Sequence, residues 1–322
     1  MTESRLWVKV SDKYRIAKDS VAIELVAEEG TDLPRFTAGA HIDIDLGLGV
    51  VRQYSLANDP GETHRYLLGV LKVPLGRGTS VALHDSLRRG DSIQISRPKN
   101  LFPLNEHAAL TVLIGGGIGI TPMLAFGHRL HSLGRPFELH FCARSRDYAP
   151  FEAELGALPF YSQLQLHLDD DPDSAMSLSG QLAATPENTH LYLCGPKGFM
   201  EVVLTTARNY LAEDQIHHES FDAVDAAPIM PTANNPFEVE IRSSGEILQV
   251  AADQTLVEVL QYNGLPVQRN CPRGFCGGCA VTVLEGEVEH RDSSLPDHLR
   301  NELGRMLSCV SRAKSARLVL DL

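Results

Sequence analysis

Cys271-Pro272-Arg273-Gly274-Phe275-Cys276-Gly277-Gly278-Cys279, answered by Cys309 thirty residues later, decides how this chain is read. Four residues separate the first two cysteines and two separate the next pair. With a distant fourth ligand, that is the spacing of a plant-type [2Fe–2S] loop. Two sulfide-bridged irons need four thiolates converging from different directions. Gly274, Gly277 and Gly278 let the backbone wrap closely and aim N–H groups at sulfur. A zinc knuckle more often carries two Cys-x-x-Cys pairs, and only one is present here, so zinc is the weaker alternative. A thioredoxin-like pair at Cys276 and Cys279 would leave Cys271 and Cys309 idle. Disulfides do not suit a chain whose opening residues, Met1 to Val10, hold no apolar export signal.

A chain of 322 residues exceeds one typical core, which implies two or three domains. Its 43% hydrophobic and 22% charged residues are those of a soluble globular protein. The longest apolar run, Leu110 to Phe126, contains four glycines and a Thr121-Pro122 break, and is too short to span a bilayer. A cytoplasmic protein without a membrane segment is expected. Residues 1–103 carry 14 basic and 13 acidic side chains, residues 104–236 carry 6 and 16, and residues 237–322 carry 9 and 12. No segment offers the basic face that nucleic-acid binding needs. The acidic middle reads as a solvated surface.

Residues 1–103 read as short strands broken by turns: Arg5 to Val10, Val21 to Ala27, His41 to Leu46, Arg65 to Val73 and Ser92 to Arg97, with one helical segment from Val81 to Leu87. Many strands at close spacing predict a small antiparallel barrel. Within it, Arg52 and Tyr54 are two apart on a strand and point the same way. Gly76-Arg77-Gly78-Thr79-Ser80 opens a helical stretch whose N–H groups favour an anion. These residue types suit a flavin, although a plain strand and a loop-to-helix turn would look the same.

Residues 104–222 change period. Leu110 to Ile114, Phe137 to Cys142 and His190 to Cys194 are buried-strand runs alternating with helical patterns, which predicts a parallel sheet with nucleotide at the strand C-termini. The first strand runs into Gly115-Gly116-Gly117-Ile118-Gly119-Ile120-Thr121-Pro122 and the third into Cys194-Gly195-Pro196. After the second come Arg144 and Asp147, where a ribose-binding residue belongs: arginine for a 2′-phosphate, aspartate for a free 2′-hydroxyl. Residues 223–236 hold three prolines and little periodicity, a linker. Residues 237–322 open with a hairpin around Ser243-Ser244-Gly245, continue through a helix from Thr255 to Asn263 closed by Gly264, and then reach the cluster loop and a strand from Ala280 to Leu284. Cys142 reads as a buried apolar thiol, and the 13 histidines show no metal spacing.

Barrel, nucleotide sheet, linker and ferredoxin in that order resemble the phthalate dioxygenase reductase family over essentially the whole chain. The resemblance is carried by Arg52-x-Tyr54-Ser55, the glycine loop through Pro122, Cys194-Gly195-Pro196, His218-Glu219-Ser220-Phe221, the four cysteines and the ending Ser311-Arg312-Ala313-Lys314-Ser315. It implies a multidomain fold: a flavin-binding β-barrel (1–103), an NAD-binding α/β domain (104–222), the linker (223–236) and a β-grasp [2Fe–2S] domain (237–322). It also implies FMN, NADH as donor, and a Rieske-type oxygenase as acceptor. Arg52, Tyr54 and Ser55 would meet the flavin, with Gly78, Thr79 and Ser80 at its phosphate. Gly116, Ile118, Thr121 and Cys194 would flank nicotinamide and pyrophosphate, and Phe221 would lie near the flavin ring or else be a core aromatic at the seam. Hydride transfer needs no general base, so no acid–base triad is expected. Arg273 would either tune the cluster or dock the partner. Delivery to a separate soluble ferredoxin, or a carrier using the cluster alone, are the competing functions. Since every site lies on one chain, a monomer is expected.

Overall fold

The computed structural model describes residues 5–28, 31–45, 51–73, 79–221, 234–267, 274, 279–292, 295, 299–300 and 303–322. It divides into two compact units, Met1–Asp222 and Ala223–Leu322. Cys271, Arg273, Cys276, Gly76, Gly78 and most of the expected linker lie outside the described residues.

The first unit begins with an antiparallel sheet of β1 (Leu6–Ala17), β2 (Ser20–Ala27), β3 (Ala40–Asp45), β4 (Val51–Ser55), β5 (Tyr66–Leu71), β6 (Ser92–Ile95) and β7 (Lys99–Asn100). Its order is β4-β3-β6-β1-β2-β5, and a bridge between Leu56 and Leu68 brings the two ends together as a barrel. Alternate residues fill it: Val8 and Val10, Ile23 and Leu25, Ile42 and Ile44, Leu68 and Val70, Ile93 and Ile95. The first strand runs seven residues past its expected end at Val10. A register shift between Val10 and Asp12 breaks the alternation there, so the polar stretch from Asp12 to Arg15 does not read as strand. The helix α1 spans Thr79–Asp85, two residues earlier than expected at each end.

The remainder of this unit is a parallel sheet, β8 (Leu110–Gly116), β9 (Phe137–Ala143), β10 (Leu164–Leu168), β11 (Thr189–Cys194) and β12 (Ile216–Glu219), in the order β10-β9-β8-β11-β12. Helices α2 (Ile120–Ser132), α3 (Glu152–Leu155), α4 (Leu178–Leu182) and α5 (Lys197–Ala207) connect the strands. From β8 the chain steps outward one way to β9 and β10, and later the other way from β11 to β12. The switch point therefore falls between β8 and β11, where open α/β sheets bind ligands. One apolar core crosses from barrel to sheet: Ile16, Ala22, Ala38 and Phe102 pack with Met123, Phe126, Phe141 and Tyr192. At that seam the rings of Phe102, Phe126 and Tyr192 stand 4.9–5.5 Å apart.

The second unit holds β13 (Phe237–Ile241), β14 (Ile247–Val250), β15 (Ala280–Glu285), β16 (Val288–Glu289), β17 (Arg305–Leu307), β18 (Arg312–Ala313) and β19 (Arg317–Leu320). The main sheet runs β14-β13-β19-β15-β17, with β13 and β19 parallel. Across it lies α6 (Leu256–Tyr262), burying Leu256, Val257, Val259 and Leu260. A capping box starts this helix: Glu258 N donates to Thr255 Oγ1 at 3.4 Å, and Thr255 N donates to Glu258 Oε2 at 2.9 Å. Gly264, at φ 75°, follows its end. Thr255→Ala is expected to destabilise this unit by about 1 kcal/mol, seen as a lower denaturation midpoint; an unchanged midpoint would refute the cap's contribution.

Candidate functional site

Two glycine turns meet at the switch point. β8 and β11 pair in register so that Gly115 faces Cys194. The turns then pack backbone to backbone, with no space between them for a side chain. A Cβ on Gly116 would stand 2.7 Å from the Phe199 ring, one on Gly195 2.9 Å from the same ring, and one on Gly119 would collide with the Cys194 carbonyl. Gly117, at φ 53°, faces open space. The helix α2 starts immediately beyond, its Ile120 amide donating back to the Gly117 and Ile118 carbonyls, so the positive end of its dipole lies next to the two turns. Gly116, Ile118, Thr121, Cys194, Gly195 and Pro196, expected at nicotinamide and pyrophosphate, are thereby brought to one edge.

The barrel supports this turn from beneath. Thr121 Oγ1 donates to Ile118 O at 3.0 Å, and a Cβ on Gly69 of β5 would come within 2.6 Å of the Thr121 methyl. Gly69→Ala is therefore expected to lower the stability of the first unit by about 1–2 kcal/mol and to slow reduction by nicotinamide. Calorimetry with stopped-flow reduction checks this, and a variant matching wild type in both would show that the turn does not rest on Gly69.

On the barrel side, β4 carries Arg52, Tyr54 and Ser55. Arg52 and Tyr54 are half-buried on one face, and burial raises the Tyr54 phenol above its ordinary value. Ser55 is buried and donates to Glu219 Oε2 at 3.4 Å, joining β4 to the end of β12. Glu219 is enclosed at its carboxyl. Burial pushes that group up to about 7, with the Ser55 hydroxyl pulling weakly the other way. Sequence reasoning marked the segment His218 to Phe221 but gave Glu219 no role. Phe221 packs partly buried against the seam core, as Ile118 does. The residues fit a flavin. Thr79 is buried with a hydroxyl that finds no partner among the described residues, as expected of a group awaiting a phosphate oxygen. Ser80, expected beside it, uses its hydroxyl to accept from Val73 N at 3.2 Å.

A cavity of about 400 Å³ opens beyond β9 and β10, lined by Ser145, Arg146, Asp147, Leu168, Asp170 and Asp171. Asp147 stands in it as expected. Arg144 is drawn elsewhere: it pairs with Asp19 at 3.4 Å and lies 4.1 Å over the Tyr148 ring. Arg146 pairs with Glu152. Three carboxylates thus face the cavity while its arginine is engaged, a poor setting for a 2′-phosphate. Cys142, half-buried on β9, has its thiol pushed up to about 12 by burial, so it is inert as a nucleophile.

In the second unit Cys279 precedes β15 and Cys309 follows β17. Ala280 pairs with Leu307, so both cysteines lie at one end of that strand pair, and both are buried. Ser308 ties their backbones, its amide at 3.2 Å and its hydroxyl at 2.7 Å from the Cys279 carbonyl. Gly274, at φ 75°, has no room for a Cβ, which would strike Val310. Two buried cysteines at one end of a strand pair, beside a turn only glycine can make, fit an iron–sulfur centre.

Comparison with known proteins agrees with this geometry. Residues 239–314 match the model of the 2Fe-2S iron-sulfur cluster binding domain. A vanillate O-demethylase oxidoreductase from a Pseudomonas species is 45% identical over 98% of this chain and 99% of its own length. The phthalate dioxygenase reductase of Burkholderia cepacia is 35% identical over 98% and 97% respectively. A solved phthalate dioxygenase reductase, described as a modular structure for electron transfer from pyridine nucleotides to [2Fe–2S], superposes with a TM-score of 0.71 at 35% identity, covering 99% of this chain and 98% of that one. Whole-length identity at this level, on a fold that superposes on a solved phthalate dioxygenase reductase, makes this chain an oxidoreductase belonging to the phthalate dioxygenase reductase family.

Proposed function

We propose that this protein is the reductase component of a Rieske-type oxygenase or demethylase, taking hydride from NADH onto FMN and delivering single electrons through [2Fe–2S] to the oxygenase. The observation that carries the reading is the presence, on one chain, of a switch-point crevice at a flavin-type strand and of two buried cysteines at one end of a strand pair. A bound flavin accepts electrons in pairs and releases them singly, which is the conversion such a chain requires. Arg52, Tyr54 and Ser55 hold the flavin on the barrel, with Gly78, Thr79 and Ser80 at its phosphate. Gly116 and Gly195 let the two turns close on each other and on Phe199 by having no side chains, and Gly117, which faces open space, leaves bare backbone for the pyrophosphate. Ile118, Thr121, Cys194 and Pro196 set the nicotinamide against the flavin, Phe221 stands at that entrance, and no residue has to move a proton for hydride transfer. Asp147, with Asp170 and Asp171, accepts from a free ribose hydroxyl and repels a phosphate, which favours NADH over NADPH. Cys271, Cys276, Cys279 and Cys309 hold the cluster.

No described helix is long and apolar enough to cross a membrane. The chain acts in the cytoplasm as a monomer and meets its oxygenase transiently. Anaerobic titration with NADH tests the central claim. One equivalent should bleach flavin absorbance and raise a reduced-cluster signal in electron spin resonance. Absence of either cofactor, or equal turnover with NADPH, would count against the assignment.

A further inference from the structure

The second unit buries a carboxylate close to Gly274 and Cys309. The side chain of Asp292 is wholly enclosed, a costly position for a carboxylate unless it is matched. It is matched on several sides. Arg300 Nη2 donates to Oδ2 at 2.9 Å and to the Asp292 carbonyl at 3.1 Å. The Leu295 amide donates to Oδ2 and the Ser311 hydroxyl to Oδ1, both at 3.1 Å. His290 Nδ1 stands 3.5 Å from Oδ1. Burial alone would push the carboxyl up, but the hydrogen bonds from Arg300, the Leu295 amide and Ser311 outweigh it and hold the group below its ordinary value.

None of these residues is a ligand, yet they join the segments that carry the ligands. Asp292 packs under Gly274, whose missing Cβ would stand 3.0 Å from the Asp292 Cα, and Gly274 lies between Cys271 and Cys276. Ser311, which donates to Asp292, lies two residues past Cys309. On the other flank of Cys309, Ser308 donates to the carbonyl of Cys279. We propose that Asp292 is a positioning residue for the iron–sulfur centre. Through Ser311 and its packing beneath Gly274, it braces the Cys309 segment against the turn at Gly274, as Ser308 braces that segment against Cys279.

The inference rests on the iron–sulfur reading above, and the experiment separates the two. Iron and acid-labile sulfide are assayed in the purified wild-type chain, then in Asp292→Asn, Arg300→Met, Arg300→Lys and Ser311→Ala. For each, iron release to a chelator, the electron spin resonance line shape of the reduced cluster and flavin reduction by NADH are followed. The proposal expects Asp292→Asn and Arg300→Met to release iron at least tenfold faster with a changed line shape, while NADH reduces the flavin at the wild-type rate. Arg300→Lys should restore most of the retention, and Ser311→Ala should fall between. If Asp292→Asn does not fold, Ser311→Ala and the two Arg300 variants decide. Wild-type iron retention and line shape in the folded variants would overturn the proposal alone. A wild-type chain lacking iron and sulfide would overturn the iron–sulfur reading and the proposal with it.

Discussion

Cys309→Ser is expected to leave a protein whose flavin NADH still reduces but whose output to a one-electron acceptor such as cytochrome c falls by roughly two orders of magnitude or more, beyond the ~10–100-fold typical of changes around a metal site's ligands. The thiolate is the cluster ligand, and a serine hydroxyl ionises far too weakly to replace it. Cys309 is buried in the same core as Cys279, Leu307 and Leu318. The first unit keeps its own core and its nucleotide crevice, because that core, among the described residues, is built from the first unit alone. Iron content, acceptor reduction and stopped-flow flavin reduction together check the result. An unchanged acceptor rate with full iron content would remove Cys309 from the ligand set and with it the basis of the proposed function.

What was legible in the sequence is what short-range chemistry dictates. Cysteine spacing declares a cluster because thiolates must converge, and the turn from Gly115 to Gly119 declares a close approach because only glycine permits one; Gly119 indeed abuts the Cys194 carbonyl. The strands of the barrel read from alternation until a bulge after Val10 broke it. What stayed hidden depends on partners far along the chain. Ser55 meets Glu219 across 164 residues, and β12 is a four-residue edge strand, Ile-His-His-Glu, polar enough to pass for a loop. Arg144 occupies a position where a 2′-phosphate ligand would be sought, but Asp19 and Tyr148 engage it. Asp292 follows an ordinary-looking His290-Arg291 pair, and only the fold surrounds it with Arg300, Leu295 and Ser311.

Glu219→Gln is expected to stabilise the flavin-free first unit by about 3 kcal/mol at pH 8 and by almost nothing at pH 4.5. The sign follows from protons bound. In the folded chain the carboxyl titrates near 7, while in the unfolded chain it titrates near its ordinary value of 4.5. Between those values the folded state holds the extra proton, so stability falls as pH rises through the window, and glutamine, which mimics the protonated acid, removes the loss. Two residues earlier on the same strand, His217 acts in the opposite sense. Burial foremost, with His190 beside it at 2.9 Å, lowers its imidazole to about 4, so the unfolded state takes the proton first and stability falls as pH drops from 6.5 toward 4. The two slopes nearly cancel between pH 4.5 and 6.5, which leaves the wild-type profile flatter than either residue alone would make it. Removing Glu219 leaves the histidine slope unopposed, so between pH 5 and 7 Glu219→Gln should gain more stability with rising pH than wild type does. Urea denaturation at pH 5, 6, 7 and 8 measures both profiles. Parallel curves for wild type and variant would show that this carboxyl is ionised and solvated in the folded chain, and that Ser55 and Glu219 are not the enclosed pair linking barrel to nucleotide sheet.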